Sequence, residues 1–285
     1  MLKEWPLVAF TIAGQMAVGV FLLFNVPFLL DMALPAAGRR GTWLVSMALV
    51  VALLVLAALV SFFHLHHPFR ARYALSNLRT SWLSREILFE LGFMALVVLA
   101  GLLAWSRPTG NGLVLGVLAA ACLAGGLFLV SMAKLYMLPT LPVSSDAYTP
   151  LSFFLTALIL GAMATELIAR GPGSFHLPLL FIAFIFVAVE ILLAIFIAPR
   201  HGIYGFRPGP SLRPTDESPR LLHWGRLALL AAGLVLIGLK MMGGFPFGLG
   251  DGRPGLALIL AFAAVLTGEI AGRFLFYGLL VRPGR

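Results

Sequence analysis

The stretch WLVSMALVVALLVLAALVSFF, residues 43–63, runs for 21 residues without a charged side chain. An α-helix rises about 1.5 Å per residue, so a helix of this length crosses the roughly 30 Å hydrocarbon core of a bilayer. A helix is also the structure that lipid favours, because it satisfies its own backbone hydrogen bonds. The stretch therefore predicts a transmembrane helix.

Seven further apolar runs lie on either side of this one. They are residues 5–30, 87–105, 113–135, 151–168, 177–198, 227–242 and 255–280. Hydrophobic residues make up 61% of the 285 residues and charged residues only 11%, which excludes an ordinary soluble protein. We predict an all-α polytopic membrane protein in which residues 1–285 form one domain of eight transmembrane helices. We expect the first helix to be retained, because its apolar run is too long for a signal peptide and has no small-residue cleavage site.

In an eight-helix chain, both termini and the segments between helices 2–3, 4–5 and 6–7 share one side of the membrane, named here the basic side. It holds 13 lysines and arginines against 6 on the other side, with Arg273 left out inside a helix. The 13 are Lys3, Arg70, Arg72, Arg79, Arg85, Lys134, Arg200, Arg207, Arg213, Arg220, Arg226, Arg282 and Arg285. Positive charge is typical of cytoplasmic segments, so we expect the basic side in the cytoplasm of a bacterium, with the helices in its inner membrane. The net charge of +9 therefore reports topology before it reports nucleic-acid binding.

The most polar segment of the basic side is HLHHPFRARYALSNLRTSWLSREILFE, residues 64–90. It holds three of the six histidines, four arginines and two of the eleven acids. Glu86 and Glu90 are four residues apart and share one face of helix 3. Two acids so close favour one of them holding a proton, which suits a proton carrier. The alternative is that Glu86 only favours a helix start and pairs with Arg79 or Arg85.

Four stretches spread along the chain resemble the membrane anchor subunits of dimethyl sulfoxide reductase and its relatives. They are EWPLVAFTIAGQ (4–15), HLHHPFRARYALSNLRTSWLSREI (64–87), TPLSFFLT (149–156) and GEIAGRFLFYGL (268–279), in the family's order. The resemblance implies an eight-helix anchor, without haem or metal, that exchanges electrons with ubiquinone or menaquinone in the membrane. It also implies two partners, a four-cluster ferredoxin-like iron–sulfur subunit and a molybdopterin catalytic subunit.

The resemblance further implies where the quinone binds. In the family, the histidine after helix 2 and the glutamate at the start of helix 3 are tied to quinol binding, and by position these are His64 and Glu86. We expect His64, Glu86, Arg70 and Arg79 to bind the quinone ring at the membrane boundary on the basic side. His64, Glu86 and Glu90 are the expected proton-exchanging groups, because imidazole titrates near neutral pH and a carboxylate can pass protons to water.

Two departures from the family leave alternatives open. His66 and His67 stand where the family often has small residues, so which of the three histidines faces the quinone is undecided, although solvated positions are favoured for these two. The family's reductases work outside the cytoplasm, whereas the charge count places the basic side inside. Related complexes that face the cytoplasm and oxidise sulfite use a similar anchor, so the terminal substrate and the direction of electron flow stay open.

Three more ionisable residues lie within the apolar runs. Glu269 and Arg273 are four residues apart in helix 8, and an isolated charge there is costly, so we predict a mutual ion pair. Gly268 and Gly272 form a GxxxG motif that allows close helix packing, which favours a structural role for this part of helix 8. Glu190 has no partner at helical spacing. It is protonated, pairs across helices or lines a proton path.

Other classes of membrane protein fit the sequence less well. Haem would need paired inward histidines, but the histidines outside the polar segment lie near the ends of predicted helices. A single cysteine, Cys122, excludes an iron–sulfur cluster within the chain, so electrons are expected to pass directly from quinone to the partner's cluster. A secondary transporter would favour inverted repeats and broken helices, and neither is evident. A purely structural anchor without a redox role is the third interpretation.

Overall fold

The computed structural model describes residues 4–31, 40–62, 75–106, 112–137, 148–168, 179–197, 218–242 and 255–280. These ranges contain eight long helices: α1 (Trp5–Leu30), α2 (Arg40–Phe62), α3 (Trp82–Ser106), α4 (Gly112–Tyr136), α5 (Tyr148–Ile168), α6 (Leu179–Ile197), α7 (Ser218–Met241) and α8 (Leu256–Leu280). Each is long and apolar enough to cross a membrane. The chain is therefore an all-helical, multi-pass membrane protein, which confirms the predicted fold class.

The helices form two four-helix bundles side by side. In the first, α1 packs against α2 and α4, and α3 packs against the same two helices. The second repeats this order, with α5 against α6 and α8, and α7 against the same two. The bundles meet mainly along α1 and α5, which both begin at the same end. The two halves of the chain thus have the same helix arrangement and run in the same direction through the membrane, although no repeat is evident in the sequence.

Two glycines allow α1 and α5 to meet at the centre of the protein. A Cβ on Gly19 would lie 1.8 Å from the carbonyl oxygen of Ala157, and a Cβ on Gly161 would lie 2.4 Å from the carbonyl carbon of Gly19. No side chain fits at either position while the helices stay this close. This contact fixes the two bundles against each other.

Helices α1, α3, α5 and α7 begin, and the other four end, at what we name the basic end. At the opposite end, the indole Nε1 of Trp43 donates to Asn25 Oδ1 across 2.8 Å. Arg40, the first residue of α2, donates to the carbonyl oxygens of Ala104 and Trp105 in the last turn of α3. These carbonyls lack partners within their own helix, so Arg40 caps α3.

Two helices, α3 and α7, begin well before the hydrophobic runs that predicted them. Helix α3 begins at Trp82 rather than at residue 87, and α7 begins at Ser218 rather than at residue 227. The first turns of both helices carry charged residues, so neither helix begins with its apolar run. Pro219 is the second residue of α7, where the missing N–H has no cost. Serine followed by proline was therefore a helix-start signal within what the sequence suggested was a loop.

Candidate functional site

Glu86 and Glu90 face the interior of the first bundle from the first two turns of α3. They begin a buried stripe along the helix that continues through Phe93, Val97 and Ala100. Glu86 is 1% exposed and Glu90 is 6% exposed, and the Oε1 atom of each has no hydrogen-bond partner within the described residues. The predicted shared face is therefore confirmed, and two carboxyl groups lie in the protein interior near the basic end.

The other predicted site residues are placed differently. Arg79 lies exposed in the turn before α3. His64 and Arg70 fall in residues 63–74, outside the described part of the chain, as do His66 and His67. The structure therefore brings Glu86 and Glu90 together and does not test the positions of His64 and Arg70.

The alternative role of Glu86, as the partner of a neighbouring arginine, does not match the structure. Arg85 Nε donates to the carbonyl oxygen of Leu78 across 2.8 Å, and Arg85 Nη2 donates to that of Arg79 across 2.5 Å. The Arg85 guanidinium stacks over the Trp82 ring at 4.3 Å. Arg85 is thus held by the turn that precedes α3. The ion pair between Arg226 and Glu190 lies elsewhere, in the second bundle.

The last turns of α4 lie beside Glu86. A Cβ on Gly125 would lie 3.2 Å from Phe93 Cε2, which fixes the register of antiparallel α3 and α4. Glu86 lies seven residues from Phe93, and Met132 lies seven residues from Gly125, both toward the basic end. Glu86 therefore faces the region between Met132 and the end of α4.

Two buried tyrosines continue from Glu86 toward the centre of the protein. Tyr136 of α4 and Tyr277 of α8 both lie near Glu86. Their rings pack edge to face with 5.1 Å between centroids. The Tyr277 hydroxyl donates to Thr11 Oγ1 of α1 across 3.4 Å. The interior polar groups of α1, α3, α4 and α8 thus meet near the basic end.

Arg273 occupies the next turn of α8 and binds three helices together. Its Nη2 atom donates to Gln15 Oε1 of α1 and to Thr156 Oγ1 of α5, both at 3.0 Å. Thr156 in turn donates to Glu269 Oε2 across 2.8 Å. The predicted direct pairing of Glu269 with Arg273 is therefore wrong, because the hydroxyl of Thr156 lies between the two charges.

Glu190 pairs across helices, as one of its three alternatives predicted. Arg226 Nη2 of α7 donates to Glu190 Oε1 across 2.5 Å, and Arg226 Nη1 donates to the Tyr148 hydroxyl across 3.3 Å. Ser152 of α5 also donates to Glu190 Oε1. Arg226, which the sequence placed among the basic-side residues, is a buried ion-pair partner with 5% exposure.

The sequence analysis did not predict most of the buried polar residues around Glu86, Glu190 and Arg273. Tyr136, Tyr148, Tyr277, Thr156 and Arg226 were not singled out, because single hydroxyls are common in membrane helices and Arg226 preceded an apolar run. Helical spacing would have revealed part of this group, since Glu269, Arg273 and Tyr277 occur every four residues and so share one face of α8. Ser152 and Thr156 repeat in the same way on α5.

Within the described ranges, no group of three His, Cys, Asp or Glu side chains is arranged to hold a metal ion. The chemistry that this interior offers is instead proton exchange and hydrogen bonding, by two carboxyl groups beside tyrosine hydroxyls. The unpartnered Oε1 atoms of Glu86 and Glu90 suit a ligand with hydroxyl or carbonyl oxygens that reaches the basic end from the lipid.

Comparison with known proteins agrees with this architecture over the whole chain. Residues 1–279 match the model of the family described as the DMSO reductase anchor subunit (DmsC). The protein is 27% identical to the C subunit of the anaerobic dimethyl sulfoxide reductase of Escherichia coli (strain K12), over 99% of its own length and 96% of the relative's. It is 30% identical to the anaerobic dimethyl sulfoxide reductase subunit YnfH of the same organism, over 99% and 96% of the two sequences. It is also 30% identical to the C subunit of the Haemophilus influenzae enzyme, over 99% and 97%. No solved structure matches the protein. The family match and the eight-helix architecture together establish that this chain belongs to the DMSO reductase anchor subunit (DmsC) family.

Proposed function

We propose that this chain is the quinone-reactive membrane anchor of a molybdopterin iron–sulfur oxidoreductase. It would exchange electrons between ubiquinone or menaquinone in the membrane and a four-cluster iron–sulfur subunit, which serves a molybdopterin catalytic subunit. Family membership supports the anchor role, and the relatives' names give the kind of complex. The two partners would bind at the basic end, which we expect to face the cytoplasm.

The observation that carries the proposal is the pair of buried carboxyl groups on α3. Intramembrane acids are rare because burial of a carboxylate in a medium of low dielectric is costly, and such residues are functional candidates by default. Glu86 and Glu90 are buried without an arginine or lysine partner among the described residues. A purely structural anchor gives no reason to keep two such groups in its interior.

The residues near the basic end fit a quinone. Oxidation of a bound quinol supplies two electrons to the iron–sulfur partner and two protons to the protein. Glu86 and Glu90 each keep an oxygen free for a hydrogen bond, and Tyr136 adds a hydroxyl near Glu86. His64, Arg70 and Arg79 belong to the segment that leads into α3, so they would bind the ring oxygens from the aqueous side.

The position of the site also suits both parts of a quinone, the apolar tail and the polar ring. An isoprenoid tail has to stay in the hydrocarbon, whereas the ring has to approach a cluster held outside the membrane. The first turns of α3 satisfy both conditions, because they lie inside a spanning helix and close to its end. The same residues would serve quinol oxidation or quinone reduction, since proton exchange by a carboxyl group runs in either direction.

The test compares quinone-linked turnover with dye-linked turnover of the purified complex. We expect His64→Ala and Glu86→Gln to lower turnover with menadiol by about 100-fold or more, the scale of a lost acid–base group. Activity with an artificial electron donor should be unchanged, because the partner subunits keep their own chemistry. Asp31→Asn is the matched control, since Asp31 is an exposed acid at the opposite end of α1.

Wild-type menadiol kinetics in both variants would refute the proposed site. Loss of menadiol-linked and dye-linked activity together would mean that the partner no longer docks, which is the outcome that a purely structural anchor gives.

A further inference from the structure

The second bundle contains a buried group of charges that the proposed quinone site does not use. Glu190, Arg226, Glu269 and Arg273 come from α6, α7 and α8, and each is at most 5% exposed. Each keeps one buried side-chain atom without a partner: Glu190 Oε2, Glu269 Oε1, Arg226 Nε and Arg273 Nε. We name these four residues the ionic cluster.

The ionic cluster is incompletely paired, although it is fully enclosed. A network that serves only to hold helices together gains most when every member is satisfied, because an unpaired buried polar group costs free energy. Here two carboxylate oxygens and two guanidinium nitrogens remain available for further hydrogen bonds. Replacement of such charges by apolar side chains is often neutral or stabilising, so helix packing alone does not explain them.

The ionic cluster lies one helical turn along α8 from the polar groups near Glu86. Tyr277 and Arg273 occupy successive turns of α8, and both contact α1, at Thr11 and Gln15 respectively. The amide Nε2 of Gln15 in turn donates to Met132 Sδ across 3.4 Å, at the level of Glu86 along α4. The ionic cluster and the polar groups near Glu86 are therefore neighbours along α1 and α8, and together they line a polar path through the interior.

The path reaches the surface at the first residue of α5. Arg226 links Glu190 to the hydroxyl of Tyr148, and Tyr148 is half-buried at the basic end. In the other direction, Thr156 Oγ1 connects Arg273 to Glu269, and Ser152 of the same helix connects to Glu190. Successive turns of α5 thus place one hydroxyl at each of the two carboxyl groups of the ionic cluster.

We propose that the ionic cluster is a proton relay, which carries protons between the quinone site at Glu86 and the water at the start of α5. This inference rests on the proposed quinone function. When a quinol is oxidised, its two electrons go to the iron–sulfur partner and its two protons pass to Glu86 or Glu90. From there each proton moves by way of Glu269 and Glu190 to water beside Tyr148, and each carboxylate regains its charge. During quinone reduction the protons move in the opposite direction.

The two arginines have a defined part in this relay. They do not lose protons under physiological conditions, so they act by charge. Arg226 and Arg273 offset the negative charge of Glu190 and Glu269, which allows these acids to release a proton in a medium of low dielectric. The tyrosine, serine and threonine hydroxyls beside these carboxyl groups can accept one proton while donating another.

Thr156 offers a matched pair of substitutions. Thr156→Ser keeps the hydroxyl between Arg273 and Glu269, whereas Thr156→Val keeps the volume and removes the hydroxyl. The experiment mixes purified complex, in weakly buffered solution with a pH-indicator dye, with a single equivalent of menadiol. We expect Thr156→Val to slow proton release by about tenfold or more and Thr156→Ser to keep the wild-type rate. The KM for menadiol should be unchanged in both.

A second readout does not depend on turnover. Infrared difference spectra between oxidised and reduced complex should contain carboxyl signals that disappear in Glu269→Gln and in Glu190→Gln. Trp43→Phe is the control for loss of a buried hydrogen bond, because Trp43 pairs with Asn25 at the opposite end.

Wild-type proton release in Thr156→Val, or equal slowing in both Thr156 variants, would overturn the relay. Unchanged carboxyl signals in Glu269→Gln and Glu190→Gln would overturn it as well. If Glu86→Gln blocks menadiol turnover while the Thr156 variants behave as wild type, the relay is wrong and the quinone site stands. If Glu86→Gln leaves menadiol turnover intact, the proposed function itself fails.

Discussion

The guanidinium of Arg226 crosses α8 directly over Gly272. A Cβ on Gly272 would lie 2.6 Å from Arg226 Nε and 2.7 Å from its Cζ. Gly268, one turn earlier, gives the same room to Leu230, whose Cδ2 would lie 3.0 Å from a Cβ. The GxxxG motif therefore does what its spacing predicted and lets α7 approach α8 closely. It also allows a charged side chain to reach Glu190 through that close contact.

Gly272→Ala should therefore break an ion pair as well as a packing contact. The added methyl group displaces Arg226 from Glu190, and an uncompensated buried charge costs about 3 kcal/mol or more. The measurement is unfolding of the purified protein in detergent. Gly116→Ala is the control, because nothing lies within 4 Å of a Cβ there, and it should change stability by at most about 1 kcal/mol. Equal stability of the two variants would contradict this account of Gly272.

Gly19→Ala should separate the two bundles. Its Cβ would meet backbone, the carbonyl oxygen of Ala157, and backbone cannot rotate away as a side chain can. We expect a loss of about 3 kcal/mol or more, measured by the same unfolding assay and compared with Gly116→Ala. Since Gln15 lies one turn from Gly19, the contact between Gln15 and Arg273 should weaken too. A Gly19→Ala protein of wild-type stability would mean that α1 and α5 do not meet at this glycine.

The membrane fold could be predicted because, in lipid, the secondary structure of an apolar segment depends on that segment alone. A run such as residues 43–63 has one stable structure in a bilayer, whatever its neighbours are. Where a helix begins or ends depends more on contacts with other segments. Helix α7 begins at Ser218, before its apolar run. The run leaves out Arg226, whose partner Glu190 lies on α6, and no pattern within α7 reveals that partner. The early start of α3 went unpredicted for a similar reason, since its first turns carry charges.

The placement of the candidate site residues could be predicted where they share one helix. Glu86 and Glu90 are four apart on α3, so their common face follows from helical spacing. The pairing of Glu269 with Arg273 was predicted by the same rule and is wrong, because Thr156 from α5 comes between them. Contacts between helices depend on which faces meet in the bundle, and a single sequence does not specify this.

Glu90 should act in proton transfer more than in quinone binding. It lies one turn deeper than Glu86, with an unpartnered Oε1 atom. We expect Glu90→Gln to lower kcat with menadiol by about tenfold or more and to leave KM unchanged, whereas Glu86→Gln should change both constants. Steady-state kinetics of the complex would separate the two effects, with Asp31→Asn as the control acid. Wild-type kinetics for Glu90→Gln would exclude Glu90 from the site.

The iron–sulfur partner should dock at the basic end. Lys134 is exposed in the last turn of α4 at this end, and Lys240 lies in the last turn of α7 at the other end. Lys134→Glu should weaken co-purification of the partner by about two- to fivefold, the scale of one exposed charge pair, and more so at low salt. Lys240→Glu loses the same favourable interaction with a helix end but should leave docking unchanged. Weaker docking in Lys240→Glu alone would place the partner at the opposite end.

Both termini should lie in the cytoplasm. The structure removes Arg226 from the sequence count, because this residue is buried in the second bundle, but 12 basic residues still face 6 across the membrane. Positive charge resists translocation, so an excess of two to one favours retention of the basic end inside. A reporter that fluoresces only in the cytoplasm should be active when fused after Arg285, and a reporter active only in the periplasm should be silent there. The same pair fused in the segment between α1 and α2 serves as the control and should give the opposite result. Activity of the periplasmic reporter alone at the C-terminus would reverse the predicted topology and put the docking surface outside the cytoplasm.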